Sequence, residues 1–361
     1  MTLWPQWLPL RKDLRGKTPY GAPQLEIPVR LNTNENPFPL TDEIQGLLAA
    51  KVKGTLKNLN RYPDRDAIEL REGLAQYIQN VIGVHVQSEN IWAANGSNEI
   101  LQSIFLAFEG AALGFEPSYS MHPIISEIVS KEWISVARDE KYEIDIDQAR
   151  AAIEKEKPGL VFVTTPNNPT GNSTPISIIE QLAISVAQVG GLLVVDEAYG
   201  EFSDDDSAIT LQADYPHIAV VKTMSKAFAF AGTRIGYLVA DPAIVHSILL
   251  VRLPYHLSSL TQSLGLAALE LAPAISHQVL QLKQERTRVI AELKEMGITT
   301  VDSSANFLLF SGFRAPSAQI WRGLIDRGVL VRDVGISGAL RVTIGRPHEN
   351  DAFLQALRES L

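Results

Sequence analysis

Cysteine is absent from the 361 residues, which removes disulfide frameworks, thiolate zinc sites, iron–sulfur clusters and cysteine nucleophiles together. Glycine-rich dinucleotide turns are missing too. No two of the 24 glycines stand two apart, so no G-x-G exists and a Rossmann-type pyrophosphate loop is not expected. Gly16-Lys17-Thr18 ends like a nucleotide phosphate loop, but Arg11 stands where the first glycine of that loop belongs. Gly335-Ile336-Ser337-Gly338 runs into Ala339 and misses the serine-hydrolase elbow. The 7 histidines include no H-E-x-x-H pair, and no metal site is expected. Nor is there a run of about 18 residues apolar enough to span a bilayer.

Positive charge is also in short supply. Lys and Arg number 32 against 41 Asp and Glu, a net charge of −9, whereas a nucleic-acid binder would carry a basic patch or stripe. The apolar N-terminus is interrupted by Pro5 and Pro9, and Arg11 and Lys12 follow it rather than precede it, the wrong order for a signal peptide. A soluble cytoplasmic protein is the expectation. Hydrophobic residues make up 45% and charged residues 20%, enough apolar side chains for a sizeable core. The length suits two or three domains.

Residues 1–40 are rich in proline and turn chemistry and read as an extended arm. Residues 41–258 read as a large domain that opens with a helix near Thr41, where Asp42 and Glu43 suit the helix dipole. Short apolar runs at 91–94, 133–137, 160–164, 192–196, 218–222 and 236–240 alternate with helical stretches near 99–109, 121–130, 147–156 and 176–189. That alternation predicts an α/β fold with a mostly parallel sheet covered by helices. Runs without polar alternation, such as Leu192 to Val195, fit strands buried on both faces. Residues 259–361 read as a smaller α+β domain, with a long helix over 276–296, strands at 306–310 and 340–344, and helices near 317–327 and 349–360.

Four motifs fall at strand ends, where ligands of such sheets bind. Asn95-Gly96-Ser97-Asn98-Glu99 opens a helix and offers backbone N–H groups to an anion, although an ordinary helix cap would look the same. Pro166-Asn167-Asn168-Pro169-Thr170-Gly171 holds Asn168 rigidly above a strand end. Asp196-Glu197-Ala198-Tyr199 ends a buried strand in a carboxylate, which is costly without a partner. Thr223-Met224-Ser225-Lys226 precedes a small, apolar stretch, with Arg234 eight residues on. Desolvation there would lower the lysine pKa and make its amine nucleophilic. An amine, an acid for a ring cation, hydrogen bonds for a ring oxygen and a phosphate cradle are the set that pyridoxal phosphate requires.

These motifs resemble the fold type I pyridoxal-phosphate aminotransferases over essentially the whole chain. Within that superfamily the histidinol-phosphate aminotransferases match best. The marks are Thr18-Pro19-Tyr20, Leu31-Asn32-Thr33-Asn34-Glu35-Asn36-Pro37, Arg61-Tyr62-Pro63-Asp64, Pro117-Ser118-Tyr119, Val331-Arg332-Asp333 and Leu340-Arg341-Val342-Thr343. The resemblance implies a large sheet of the seven-stranded type, a smaller α+β domain, and an arm that packs on the small domain and a neighbouring subunit. It implies that Lys226 carries pyridoxal 5'-phosphate and shuttles a proton, that Asp196 keeps the pyridine nitrogen protonated, and that Tyr199 and Asn168 hydrogen-bond the ring oxygen. Tyr119 would stack on the ring. Ser97, Asn98, Thr223, Ser225 and Arg234 would hold the phosphate, with Tyr62 from a neighbouring subunit, so a homodimer would share the site.

The implied reaction is transamination between histidinol phosphate and 2-oxoglutarate, giving glutamate, in histidine biosynthesis. One site must therefore grip a phosphate ester or a carboxylate. Arg341 would do so in bidentate fashion, with Arg332 and Tyr20 adding donors for the dianion. Asn34, Asn95 and Tyr255 are further substrate-side candidates. Two positions depart from the common pattern: Ser120 stands where many relatives have glycine, and Asn98 where some have aspartate. An aromatic-amino-acid aminotransferase would share nearly all cofactor residues, and Tyr20 and Arg332 argue against it. A decarboxylase of similar build would use the same cofactor. A regulator built on this scaffold would need a DNA-binding segment, for which the sequence shows no helix-turn-helix pattern.

Overall fold

The structure, a computed structural model, describes residues 4, 5 and 7–361. Residues 1–3 and 6 of the expected arm lie outside the described residues. In chain order the elements are β1 (Val29–Arg30), α1 (Asp42–Leu56), α2 (Ile68–Ile82), β2 (Ile91–Ala94), α3 (Ser97–Ala107), β3 (Ala112–Glu116), α4 (Met121–Ile128), β4 (Trp133–Ala137), α5 (Ile146–Glu156), β5 (Leu160–Thr164), α6 (Ile176–Gln188), β6 (Leu192–Asp196), β7 (Ile218–Thr223), β8 (Gly236–Val239), α7 (Pro242–Leu249), α8 (Ser259–Glu270), α9 (Ala272–Glu295), β9 (Thr299–Thr300), β10 (Phe307–Ser311), α10 (Ser317–Asp326), β11 (Val329–Leu330), β12 (Ala339–Thr343) and α11 (Pro347–Arg358).

The large sheet has 7 strands among the described residues, ordered β2-β8-β7-β6-β5-β3-β4. Pairing is parallel from β7 through β4, and β8 alone runs against its neighbours β7 and β2. Side chains alternate between faces with the period of a strand. Leu193 and Val195 of β6, with Val161 and Val163 of β5, enter one apolar core that continues into α2, α5, α6 and the small sheet. Leu192, Val194, Leu160 and Phe162 enter a second core with residues of α3, α4 and α7. Both faces are covered, so these strands need no polar alternation.

The second sheet is antiparallel, β12-β10-β9, and β1 pairs in parallel with β11. Val29 faces Val329 and Arg30 faces Leu330, so the arm joins the last part of the chain by a strand ladder. α8, which follows the expected boundary at residue 258, packs on α1 and α2. No helix of the described residues is long and apolar enough to cross a membrane.

One strand of the large sheet escapes the sequence reading, as do the two-residue strands β1, β9 and β11. β3 contains Gly114 in mid-strand, where glycine ordinarily weakens a strand and reads as a break. Here the glycine makes room: a Cβ at Gly114 would collide with the indole ring of Trp133 on neighbouring β4. Gly114→Ala should therefore cost about 1–3 kcal/mol through overpacking. The urea midpoint should fall, and an unchanged midpoint would show that Trp133 moves aside freely.

Candidate active site

The register of the sheet brings the strand ends level. Thr164 of β5 faces Asp196 of β6, and Asp196 faces Val221 of β7. Beyond these ends lies a cavity of about 450 Å³. Its wall holds Tyr20, Asn34, Ser97, Asn98, Tyr119, Asn168, Asp196, Tyr199, Thr223, Ser225, Lys226, Arg234, Arg332 and Arg341. Three candidates do not reach it within one chain. Tyr62 is 79% exposed and stacks on Tyr255, ring centroids 4.5 Å apart. The Asn95 amide donates to the His256 carbonyl at 2.8 Å and to Glu99 at 3.0 Å.

Asp196 is 1% exposed. One carboxylate oxygen lies 3.2 Å from His122 Nε2, and the other accepts the Ala198 N–H at 3.1 Å. His122 is itself buried and lies among the rings of Tyr119, Trp133 and Phe162. Sequence reasoning missed this histidine. A lone histidine carries no spacing signal, and its place three residues after Tyr119 on α4 becomes informative only when α4 is laid over the end of β6.

The anion cradle is built from close backbone contacts. Gly96 has φ of +82° at the start of α3, and a Cβ there would strike the Arg234 guanidinium. A Cβ on Gly236 would meet the Ser97 amide nitrogen. Both glycines thus keep the α3 N-terminus open, where N–H groups favour an anion. Arg234 Nη1 donates to Ser225 Oγ at 3.1 Å, and the Thr223 and Ser225 hydroxyls are 3.1 Å apart. The Tyr119 hydroxyl donates to Asn98 Oδ1 at 3.1 Å.

On the other wall, the Tyr199 hydroxyl accepts from Asn34 Nδ2 at 3.0 Å and from Asn168 Nδ2 at 3.5 Å. Burial holds its pKa above the ordinary tyrosine value. Arg341 Nη1 donates to Asn168 Oδ1, and its Nη2 donates to the Asn32 carbonyl at 2.9 Å. Arg341 is 7% exposed, its Nε has no hydrogen-bond partner among the described residues, and burial lowers its pKa. Arg332 pairs with Arg341 across an antiparallel bridge, so two guanidinium groups line one cavity. Tyr20 reaches it from the arm, its hydroxyl 3.4 Å from Ser120 Oγ.

Lys226 is half-buried, and its amine donates to the Thr33 carbonyl at 2.9 Å. Desolvation, then the charges of Arg341 and Arg234, lower its pKa to about 8. The donor set fits a phosphorylated pyridine aldehyde. The glycine-lined cradle suits the phosphate, buried Asp196 suits a ring cation, and an amine of lowered pKa suits the aldehyde.

The family model "Aminotransferase class I and II" matches residues 26–357, and the chain belongs to that family. A histidinol-phosphate aminotransferase of Mycolicibacterium smegmatis is 54% identical over 353 residues, 97% of this chain and 92% of its own. Among solved structures, histidinol-phosphate aminotransferase from Sinorhizobium meliloti, in complex with pyridoxal-5'-phosphate, superposes with a TM-score of 0.82 at 23% identity, covering 92% of this chain and 91% of its own. Aspartate aminotransferase from Thermus thermophilus with maleate gives 0.81 at 21%, covering 92% and 91%. Within the class, this chain is a member of the histidinol-phosphate aminotransferases, the group of its relative at 54% identity.

The Lys226 amine should show its environment directly. In the cofactor-free chain, acetylation of Lys226 should titrate with a midpoint near pH 8, its lowered value, since only the neutral amine reacts. A midpoint near 10.5, the unperturbed value, would mean that the amine is not desolvated.

Proposed function

We propose that the chain transfers the amino group of L-histidinol phosphate to 2-oxoglutarate, forming imidazole acetol phosphate and L-glutamate, as a cytoplasmic step of histidine biosynthesis. Pyridoxal 5'-phosphate is the cofactor. When bound, it supplies an aldehyde that captures the substrate amine and a ring that accepts electrons from the substrate Cα. The observation that carries the reading is one cavity whose wall brings together Lys226, Asp196, Arg234 and the bridged pair Arg332 and Arg341.

Each side chain then has a defined task. Lys226 holds the cofactor and, once displaced by substrate, takes a proton from Cα with its free amine. Its lowered pKa suits this, because the neutral form is populated near neutral pH. Asp196, oriented by His122, holds a proton on the ring nitrogen. Tyr199 and Asn168 hydrogen-bond the ring oxygen, and Tyr119 covers the ring face. Ser97, Asn98, Thr223, Ser225 and Arg234 bind the cofactor phosphate. Arg341 grips the substrate anion, whether carboxylate or phosphate, and Arg332 and Tyr20 serve the phosphate. Asn34 belongs to the substrate side in the same reading, Tyr255 would reach the other copy's cavity together with Tyr62, and Asn95 lies outside its own chain's cavity.

The assembly in this reading is a homodimer in which Tyr62 of one copy completes the phosphate cradle of the other. Support comes from the outward face of Tyr62 and from Leu250 and Leu253, which are 87% and 74% exposed in the segment that leads to Tyr255. The arm (1–40), the large cofactor-holding domain (41–258) and the small domain (259–361) are the working parts.

Mixing the holoenzyme separately with histidinol phosphate, phenylalanine and glutamate tests the donor. Histidinol phosphate should convert the cofactor to its amine form at the lowest concentration. Preference for phenylalanine would overturn the choice of donor. Borohydride reduction followed by peptide mapping should label Lys226, and a label elsewhere would overturn the cofactor assignment. Arg332→Met should raise KM for histidinol phosphate about 10- to 100-fold, the worth of a hydrogen bond to a charged group. The KM for glutamate should change far less, and equal losses for both substrates would remove Arg332 from phosphate recognition.

A further inference from the structure

Three successive residues of the arm touch three different groups of the cavity wall. The Asn32 carbonyl accepts from Arg341 at 2.9 Å, the Thr33 carbonyl accepts from the Lys226 amine at 2.9 Å, and the Asn34 amide donates to the Tyr199 hydroxyl at 3.0 Å. Asn34 is 1% exposed and sits in the left-handed region with φ of +56°. Asparagine tolerates that region better than most residues. Every polar atom of Asn34 is bonded. Its N–H donates to Thr343 Oγ1 at 3.0 Å, its Oδ1 accepts from the same hydroxyl at 3.0 Å, and its carbonyl accepts from Asn306 Nδ2 at 3.1 Å. The backbone angle at residue 34 fixes the plane of the preceding peptide, and with it the direction of the Thr33 carbonyl.

We propose that Asn34 is a positioning residue for proton transfer: its left-handed backbone aims the Thr33 carbonyl at the free Lys226 amine, while its side-chain amide holds the Tyr199 hydroxyl. The inference deepens the function proposed above and rests on it. The charged groups around the amine are Arg341 and Arg234, which oppose a positive charge, and Glu35, which favours one. The Tyr199 ring lies 5.8 Å from it. Between two guanidinium groups, a fixed carbonyl steadies the ammonium formed when the amine takes the Cα proton. The carbonyl restrains the amine while it carries the proton on from the substrate Cα.

Two substitutions separate the two parts of the proposal. Asn34→Val cannot easily keep a positive φ, so the carbonyl should swing away and the ammonium should lose its acceptor. In the cofactor-free full chain, Lys226 acetylation at pH 7, normalised to exposed Lys53, should then rise at least about threefold. Asn34→Gly keeps the backbone angle but removes the amide. Its Lys226 acetylation should stay near the wild-type rate. In the loaded enzyme, the pH midpoint of the visible cofactor band should rise by at least about 0.3, because Tyr199 becomes a weaker donor to the cofactor's phenolic oxygen.

If the valine variant does not fold, Asn34→Ala replaces it with the same direction of effect. A wild-type acetylation rate in the valine or alanine variant overturns the proposal, as does an unmoved midpoint in the glycine variant. A purely structural role would lower the melting temperature and leave both readings where they were. Failure of the cofactor assignment is seen separately, as a borohydride label away from Lys226.

Discussion

Two carboxylates stand side by side at the end of β6, and the alternation of a strand sends them to opposite faces of the sheet. Neither can stay buried alone, since a buried carboxylate without partners is costly. Asp196 turns towards α4 and meets His122 at 3.2 Å. Glu197 turns the other way and meets Lys222 of β7 at 3.1 Å, with the Ser207 hydroxyl and the Ala208 N–H each donating to it at 2.7 Å. Burial alone would lower the Lys222 amine, but Glu201 and Glu197 outweigh it and hold its pKa above the ordinary value. The end of β6 is thereby tied to α4 on one face and to β7 on the other.

Much of this was legible beforehand because it depends on local pattern. The runs at 160–164 and 192–196 are strands with those bounds, since an apolar run closed by Thr-Pro or Asp-Glu has few other solutions in an α/β chain. Asp196, Lys226 and Arg234 were legible because each breaks an apolar context at a strand end. β3 was hidden because Gly114 answers to Trp133, a neighbour across the sheet. His122 was hidden because its meaning comes from Asp196, seventy-four residues away. The contacts of Asn32 and Arg341 span 309 positions, a separation at which no spacing rule operates.

Fold and substrate separate cleanly here. The superposition on aspartate aminotransferase from Thermus thermophilus is as close as that on histidinol-phosphate aminotransferase from Sinorhizobium meliloti, with TM-scores of 0.81 and 0.82. A shared fold fixes where the strand ends converge, and function lives in the side chains set there. In this chain Arg332 faces Arg341 across one bridge, and both line the same cavity.

The parallel ladder between Val29–Arg30 and Val329–Leu330 has a consequence for biosynthesis. A chain emerging from the ribosome carries Lys226 long before residue 329 exists, and contacts between distant parts of a chain form late. Until the final segment arrives, the opening residues have no edge to join, and Thr33 has no fixed place beside Lys226. Both strands of the ladder must therefore be made before Thr33 is set beside Lys226.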